Sequence, residues 1–293
     1  MRPRVQLVAA AALFSTGGAA IKAVELSGLQ IASFRSGIAA LALLLLLPEA
    51  RRGWGWRPLL VGVTYAATMV LFVLANRLTT SAHAVFIQAT SPIYLVVLAP
   101  LLLGEANRRR DLWFMIPLMV GLACFLVGAQ VPLKTAPDPQ TGNLLAAASG
   151  VCWAITTIGM RWLATGEQGK GTLLAAMVAG NLLAFGVVLP FALPLAPVIA
   201  PADWGILLFL GLFQIALPYS LISRAMGKVT ALDASLIFLI EPALSPIVAW
   251  AVHGEIPGPW PIFGAAVILV TTVLRVVGDM RHMPTLDPPA AAA

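Results

Sequence analysis

Glu241 is a carboxylate in the middle of the apolar stretch "ASLIFLIEPALSPIVAWAV", residues 234–252. At about 1.5 Å per residue, its place eight residues after Asp233 lies roughly 12 Å along a helix. An ionisable group at that depth is a candidate functional group: it can take up and release protons, or bind an ammonium. Its structural alternative is a carboxyl group that is protonated or hydrogen-bonded and holds two helices together. Pro242 follows it, and Pro92 has the matching place in "SPIYLVVLAPLLLGE", residues 91–105. Each proline lacks a backbone donor and frees a carbonyl one turn earlier, near Phe238 and Gln88, so each is a candidate hinge.

Tyr65, Met69, Phe72 and Asn76 recur at spacings of four, three and four, which puts them on one helical face that is both aromatic and polar. Phe14 and Trp153 each stand about ten residues from the ends of their apolar segments, near the middle of a helix. With Asn181, Gln214, Tyr219 and Phe238 they could wall a cavity in which rings hold an apolar group while amides and hydroxyls orient a polar head. For each of these residues taken singly, ordinary helix packing is the competing explanation. His83 can change charge near neutral pH and could line a route, or anchor a helix at an interface. Cys124 and Cys152 lie inside apolar runs and read as packing residues, with no disulfide framework and no metal site. "GEQGKGT", residues 166–172, lacks P-loop spacing, and no zinc-binding His pair or nucleophile elbow occurs, so no cofactor is implied.

The elements that must position these residues follow from composition. Hydrophobic residues make up 60% of the 293-residue chain and charged residues 10%, with a mean hydropathy of +0.93. Ordinary globular chains are about one-quarter charged, so most of this surface faces lipid. A membrane-spanning helix takes about 20 apolar residues. Cutting at charges, prolines and glycine clusters gives ten segments: 5–24, 31–47, 57–76, 81–103, 112–130, 143–163, 171–193, 203–223, 234–252 and 259–278. The expected fold is all-α and integral to the membrane. Residues 131–142, rich in proline and polar residues, read as a linker between a first unit (1–130) and a second (143–280), with a disordered tail at 281–293. With a cytoplasmic N-terminus, 14 of the 18 Lys and Arg residues fall on cytoplasmic stretches, which places both termini in the cytoplasm. That also accounts for the net charge of +6 without a nucleic-acid partner.

The two units are diverged copies. At an offset of 150, Ala75, Thr80, Ala84, Ile87, Pro92, Ala99 and Gly104-Glu105 meet Ala225, Thr230, Ala234, Ile237, Pro242, Ala249 and Gly254-Glu255. At an offset of 139, Phe14 meets Trp153 and Lys22 meets Arg161. Five segments per copy is an odd number, so the second copy enters the membrane from the other side. Ten transmembrane helices in two inverted five-helix repeats are the architecture of alternating access, and they point to a transporter. An integral membrane enzyme is the rival class, distinguished by altering a substrate that a transporter returns unchanged.

At "ALFSTGGAAIK", "ASFRSGIAALAL" and above all "EPALSPIVAWAVHGE", the chain resembles the EamA type of the drug/metabolite transporter superfamily, over nearly its whole length. Within it, the chain looks most like the YddG-like amino acid exporters. The resemblance implies export of large neutral and aromatic amino acids across a bacterial inner membrane without ATP, with protons as candidate partners and other small metabolites or drugs as alternative cargoes. Arg35 matches the family's arginine and is expected to snorkel outward or to cap neighbouring carbonyls. Glu105 and Glu255 are expected to favour the N-termini of the fifth and tenth helices. The first copy departs from the pattern, with Ser91-Pro92 where the second has Glu241-Pro242, so any role of the carboxylate belongs to one half.

Overall fold

The computed structural model describes residues 2–107, 109–124, 136–166, 169–193, 199–253 and 259–281. In lipid every backbone polar group must be satisfied within the chain, which favours helices wherever apolar runs are long. The described residues are helical throughout, with short connections. In chain order the helices are α1 (Pro3–Phe14), α2 (Gly17–Ala23), α3 (Gly28–Leu46), α4 (Trp56–Leu78), α5 (Ser81–Gln88), α6 (Ser91–Leu103) and α7 (Arg109–Cys124), then α8 (Pro139–Ala164), α9 (Gly169–Val188), α10 (Pro201–Gly211), α11 (Leu217–Ala225), α12 (Ala231–Phe238), α13 (Ile240–His253) and α14 (Pro259–Arg281). Consecutive pieces join into eight spans long and apolar enough to cross a membrane. Leu112–Cys124 and Ile262–Leu274 are shorter apolar helices. Leu45, Leu46, Val97 and Leu101 are more than half exposed, on surface that a soluble protein would make polar.

Local chemistry sets the ends. Ser27 and Gln30 form a reciprocal capping box at the start of α3. Thr80 accepts from the His83 N–H at 3.2 Å and Thr230 from the Asp233 N–H at 3.1 Å, so these sequence mates cap α5 and α12 alike. Within the expected linker, residues 131–142, Asp138 caps α8 by accepting from the Thr141 N–H, and Pro139 opens the helix. Proline at a first helical position costs no hydrogen bond, which is why a polar, proline-rich stretch becomes helix here. Residues 131–135, Gly254-Glu255 and the expected tail from 282 onward lie outside the described residues.

Four of the eight spans are interrupted. Ser15 and Thr16 turn their hydroxyls back onto Ala12 and Leu13 carbonyls, and Gly17-Gly18 follow, so the first span breaks between α1 and α2. The α5/α6 and α12/α13 breaks fall just before Pro92 and Pro242. Between α10 and α11 lies a π-helical turn, Leu212–Ala216. Pro218 cannot donate to Gln214 and its ring crowds that carbonyl, so the backbone widens by a residue.

In the interior, α4 packs along α8 and α9, α3 along α9, α1 along α11, and α7 along α14. The α4–α9 crossing is close because Gly62 faces Gly180: a Cβ on Gly180 would lie 2.6 Å from the Gly62 carbonyl oxygen. Polar ties hold the two ends of the bundle. At one end Arg4 pairs with Asp233 at 3.1 Å, and Arg161 with Glu105 at 2.6 Å. At the other, Lys22 donates to the Thr79 carbonyl and Arg77 to the Val24 carbonyl. Glu105 accepts from the Ala231 N–H at 2.9 Å, so it serves the N-terminus of α12 and not that of α7, as its sequence position suggests. Among the described residues, the backbone N–H that reaches Glu105 belongs to α12 and not to the helix that follows it in the chain.

Candidate functional site

The breaks converge on the centre of the bundle. Phe14 ends α1 at the Ser15-Thr16 break, Gln214 sits in the π turn, and Glu241 lies in the first turn of α13, beyond the α12 break. Together with Arg35, Met69, Phe72, Trp153, Ile215 and Tyr219 they line a cavity of about 30 Å³, room for about two water molecules. Aromatic rings dominate its walls. The Phe14 ring centroid lies 5.5 Å from Tyr219, 6.2 Å from Phe238 and 6.4 Å from Trp153, and Trp153 stands 5.6 Å from Phe238. Tyr65 meets Tyr219 edge to face at 5.0 Å and accepts a hydrogen bond from Asn181 at 3.2 Å. Asn181 also donates to the Met177 carbonyl, one turn back in α9.

Most of the residues singled out from sequence therefore meet. Phe14, Phe72, Trp153, Gln214, Tyr219 and Glu241 line the cavity, while Tyr65, Asn181 and Phe238 form its immediate support. Pro92 and Pro242 stand at helix breaks of the two sequence mates. His83 does not join them. It lies in the first turn of α5, half-buried, with Nδ1 2.6 Å from the Thr80 hydroxyl, and it is not among the cavity residues. Capping chemistry at the helix start fixes it there, away from the rings.

Arg35 overturns the expectation that it snorkels. It is fully buried, and its guanidinium donates to the Gln214 side-chain oxygen at 3.3 Å and to the Met69 carbonyl at 3.1 Å. The carbonyl contact was legible as a cap, but the cavity position was not. Position 35 lies early in an apolar run, and only the packing of α3 against the π turn turns it inward. The signal that could have found it was Pro218, which frees the Gln214 carbonyl and marks residue 214 as a place where the helix opens.

The cavity thus offers a carboxylate, a guanidinium and a ring of aromatic walls in apolar surroundings. That combination of groups is chemically suited to an amphipathic molecule.

The description of the EamA-like transporter family matches residues 4–127 and again residues 140–277. The chain is similar to "Uncharacterized transporter YyaM" of Bacillus subtilis (strain 168), with 22% identity over 213 residues, covering 72% of this chain and 69% of that protein. A solved crystal structure, 18% identical, superimposes with a TM-score of 0.70 over 97% of this chain and 100% of that one, and so shares the fold. A family match over both halves, on a bundle of apolar helices around a central cavity, settles the class: the chain belongs to the EamA-like transporter family and is a multi-pass membrane transporter.

Proposed function

We propose that the protein exports large neutral amino acids, aromatic ones included, across a bacterial inner membrane by alternating access without ATP. The observation that carries this reading is the aromatic enclosure around Glu241. Phe14, Phe72, Trp153 and Tyr219 share one cavity with that carboxylate. Rings take an indole or phenyl side chain, and the carboxylate takes the ammonium. A polyamine needs several carboxylates, and among the described residues the cavity has one.

The reading requires ten spans in two inverted repeats with both termini cytoplasmic. The family match in two blocks, 4–127 and 140–277, supports two copies. So do the shared Thr80/Thr230 caps and the helix breaks before Pro92 and Pro242. The packing is mirrored too: α4 lies against α8 as α1 lies against α11, and α4 against α9 as α3 against α10. On this reading the shorter apolar helices Leu112–Cys124 and Ile262–Leu274 are taken as the fifth and tenth spans, beside the eight long ones. The cavity must widen to admit an amino acid, and the breaks in its walls are where the helices can part.

The test is purified protein in liposomes, with and without a pH gradient, challenged with neutral amino acids, nucleosides, polyamines and cationic drugs. Saturable exchange of tryptophan, phenylalanine and leucine is expected. Movement of another class alone overturns the cargo. A dependence on the gradient makes protons the coupling ion.

A further inference from the structure

Arg35 is an expensive residue to bury, because a cation inside a membrane protein must be compensated. Its acceptors are all neutral: the Gln214 amide oxygen, the Met69 carbonyl and, at 3.6 Å, the Met69 sulfur. A guanidinium has five N–H groups in a planar fork suited to a carboxylate. Its Nε has no hydrogen-bond partner among the described residues. Arg35 lines the same cavity as Glu241, yet among the described residues the two do not form an ion pair.

The fork is also held in place. Gln214 is turned toward Arg35 by the π turn and is packed against the first-span break, where a Cβ on Gly17 would lie 2.6 Å from the Gln214 amide nitrogen. Gly17 thus leaves room for the Gln214 amide, whose oxygen accepts from the Arg35 guanidinium at 3.3 Å.

We propose that Arg35 receives the carboxylate of the cargo and makes a free carboxylate a condition of transport. The inference rests on the amino-acid reading above and sharpens it. Glu241 and Arg35 are opposite charges lining one cavity among aromatic rings, with no ion pair between them among the described residues, an arrangement that suits an α-amino acid with a large side chain. An aromatic amine without a carboxylate, or an amino acid amide, leaves the guanidinium unsatisfied and is rejected.

The experiment is counterflow of labelled phenylalanine in liposomes, with tryptophan, tryptophanamide and tryptamine as competitors. Wild type should prefer tryptophan over the amide and the amine at least tenfold, Arg35→Gln should lose that preference, and Arg35→Lys should keep only part of it. Trp153→Ala, which weakens the ring site, should keep it. If wild type takes tryptophanamide as readily as tryptophan, or if Arg35→Lys discriminates as wild type does, the role of Arg35 is overturned while the amino-acid reading stands. Should Arg35→Gln not fold, the wild-type competitors and Arg35→Lys decide. Should no amino acid move, the cargo reading fails, and thermal stabilisation of the purified protein by indole-3-propionate tests Arg35 alone. Stabilisation of wild type, and not of Arg35→Lys, upholds the anion site; no stabilisation of wild type overturns it.

Discussion

Trp153 and Glu241 touch different parts of a bound cargo, so their variants should fail differently. Trp153 contacts Phe14 and Phe238 and lines the cavity, and its indole is the largest single apolar wall. Trp153→Ala should weaken uptake of tryptophan and phenylalanine by about 1 kcal/mol or more, with little change for alanine. Concentration dependence of counterflow for the three amino acids measures this. Equal losses for all three would make Trp153 a packing residue. Glu241→Gln copies the protonated carboxyl group. If Glu241 carries protons, the variant should retain amino acid exchange and lose flux driven by a pH gradient. If it binds the ammonium, exchange should fall as well. Wild-type behaviour in both assays leaves Glu241 no part in transport.

At the scale of elements, the crossing of α4 and α9 should tolerate no added atom. A Cβ at Gly180 would come 2.4 Å from Tyr65 Cδ1 as well as against Gly62. Gly180→Ala should therefore cost about 1–3 kcal/mol by overpacking and displace the Tyr65 ring that supports Tyr219. Gly186, on the same helix, has nothing within 4 Å of its added Cβ. Gly186→Ala should be neutral or slightly stabilising, since alanine favours a helix interior. Thermal denaturation of the two purified variants compares them directly. Glu105 ties the end of α8 to the start of α12 through Arg161 and the Ala231 N–H. Glu105→Gln should lower stability by about 1–3 kcal/mol, because it takes the charge from acceptors that satisfy a partly buried guanidinium and a helix start. The same measurement should show a downward shift in the melting midpoint.

Elements were legible from sequence to different degrees. The segment 81–103 coincides with the span Ser81–Leu103, because a threonine cap and a glycine end bracket an unbroken apolar run. The breaks before Pro92 and Pro242 were legible for the same local reason. The break at Ser15-Thr16 and the π turn at Leu212–Ala216 were not read. Their local signals, the Ser15 and Thr16 hydroxyls with Gly17-Gly18 and the proline at 218, are weaker than a proline at the break itself. The site was legible as an aromatic set, since its members fall at midspan positions; His83 stands at the helix start where an anchor was one of its two expected roles, while the burial of Arg35 in the cavity was not read.

For the whole molecule, sidedness is the sharpest consequence of the proposed inverted arrangement. In a cysteine-free background, Asp138→Cys should react with an impermeant thiol reagent added outside intact cells, and Arg109→Cys only after permeabilisation. Both side chains are exposed. The reverse pattern would overturn the topology and, with it, the direction of export. Ion pairs at Asp233 and Glu105, at the end proposed to be cytoplasmic, face carbonyl ties at Thr79 and Val24 on the opposite end. The two ends are thus held by different chemistry, and the salt sensitivity of labelling should be greater at the cytoplasmic one.

By itself the sequence determined that this chain lives in lipid, where its helices run, and which residues recur in its two halves. These are properties of composition and of neighbours along the chain, where an apolar run or a proline acts on the turn beside it. Only the tertiary structure decided that Arg35 is buried beside Gln214, that Glu105 serves α12, and that Glu241 shares a cavity with Phe14. Those contacts join residues more than a hundred positions apart. They arise when glycine crossings and a widened turn bring helices together, and no local pattern encodes which faces will meet.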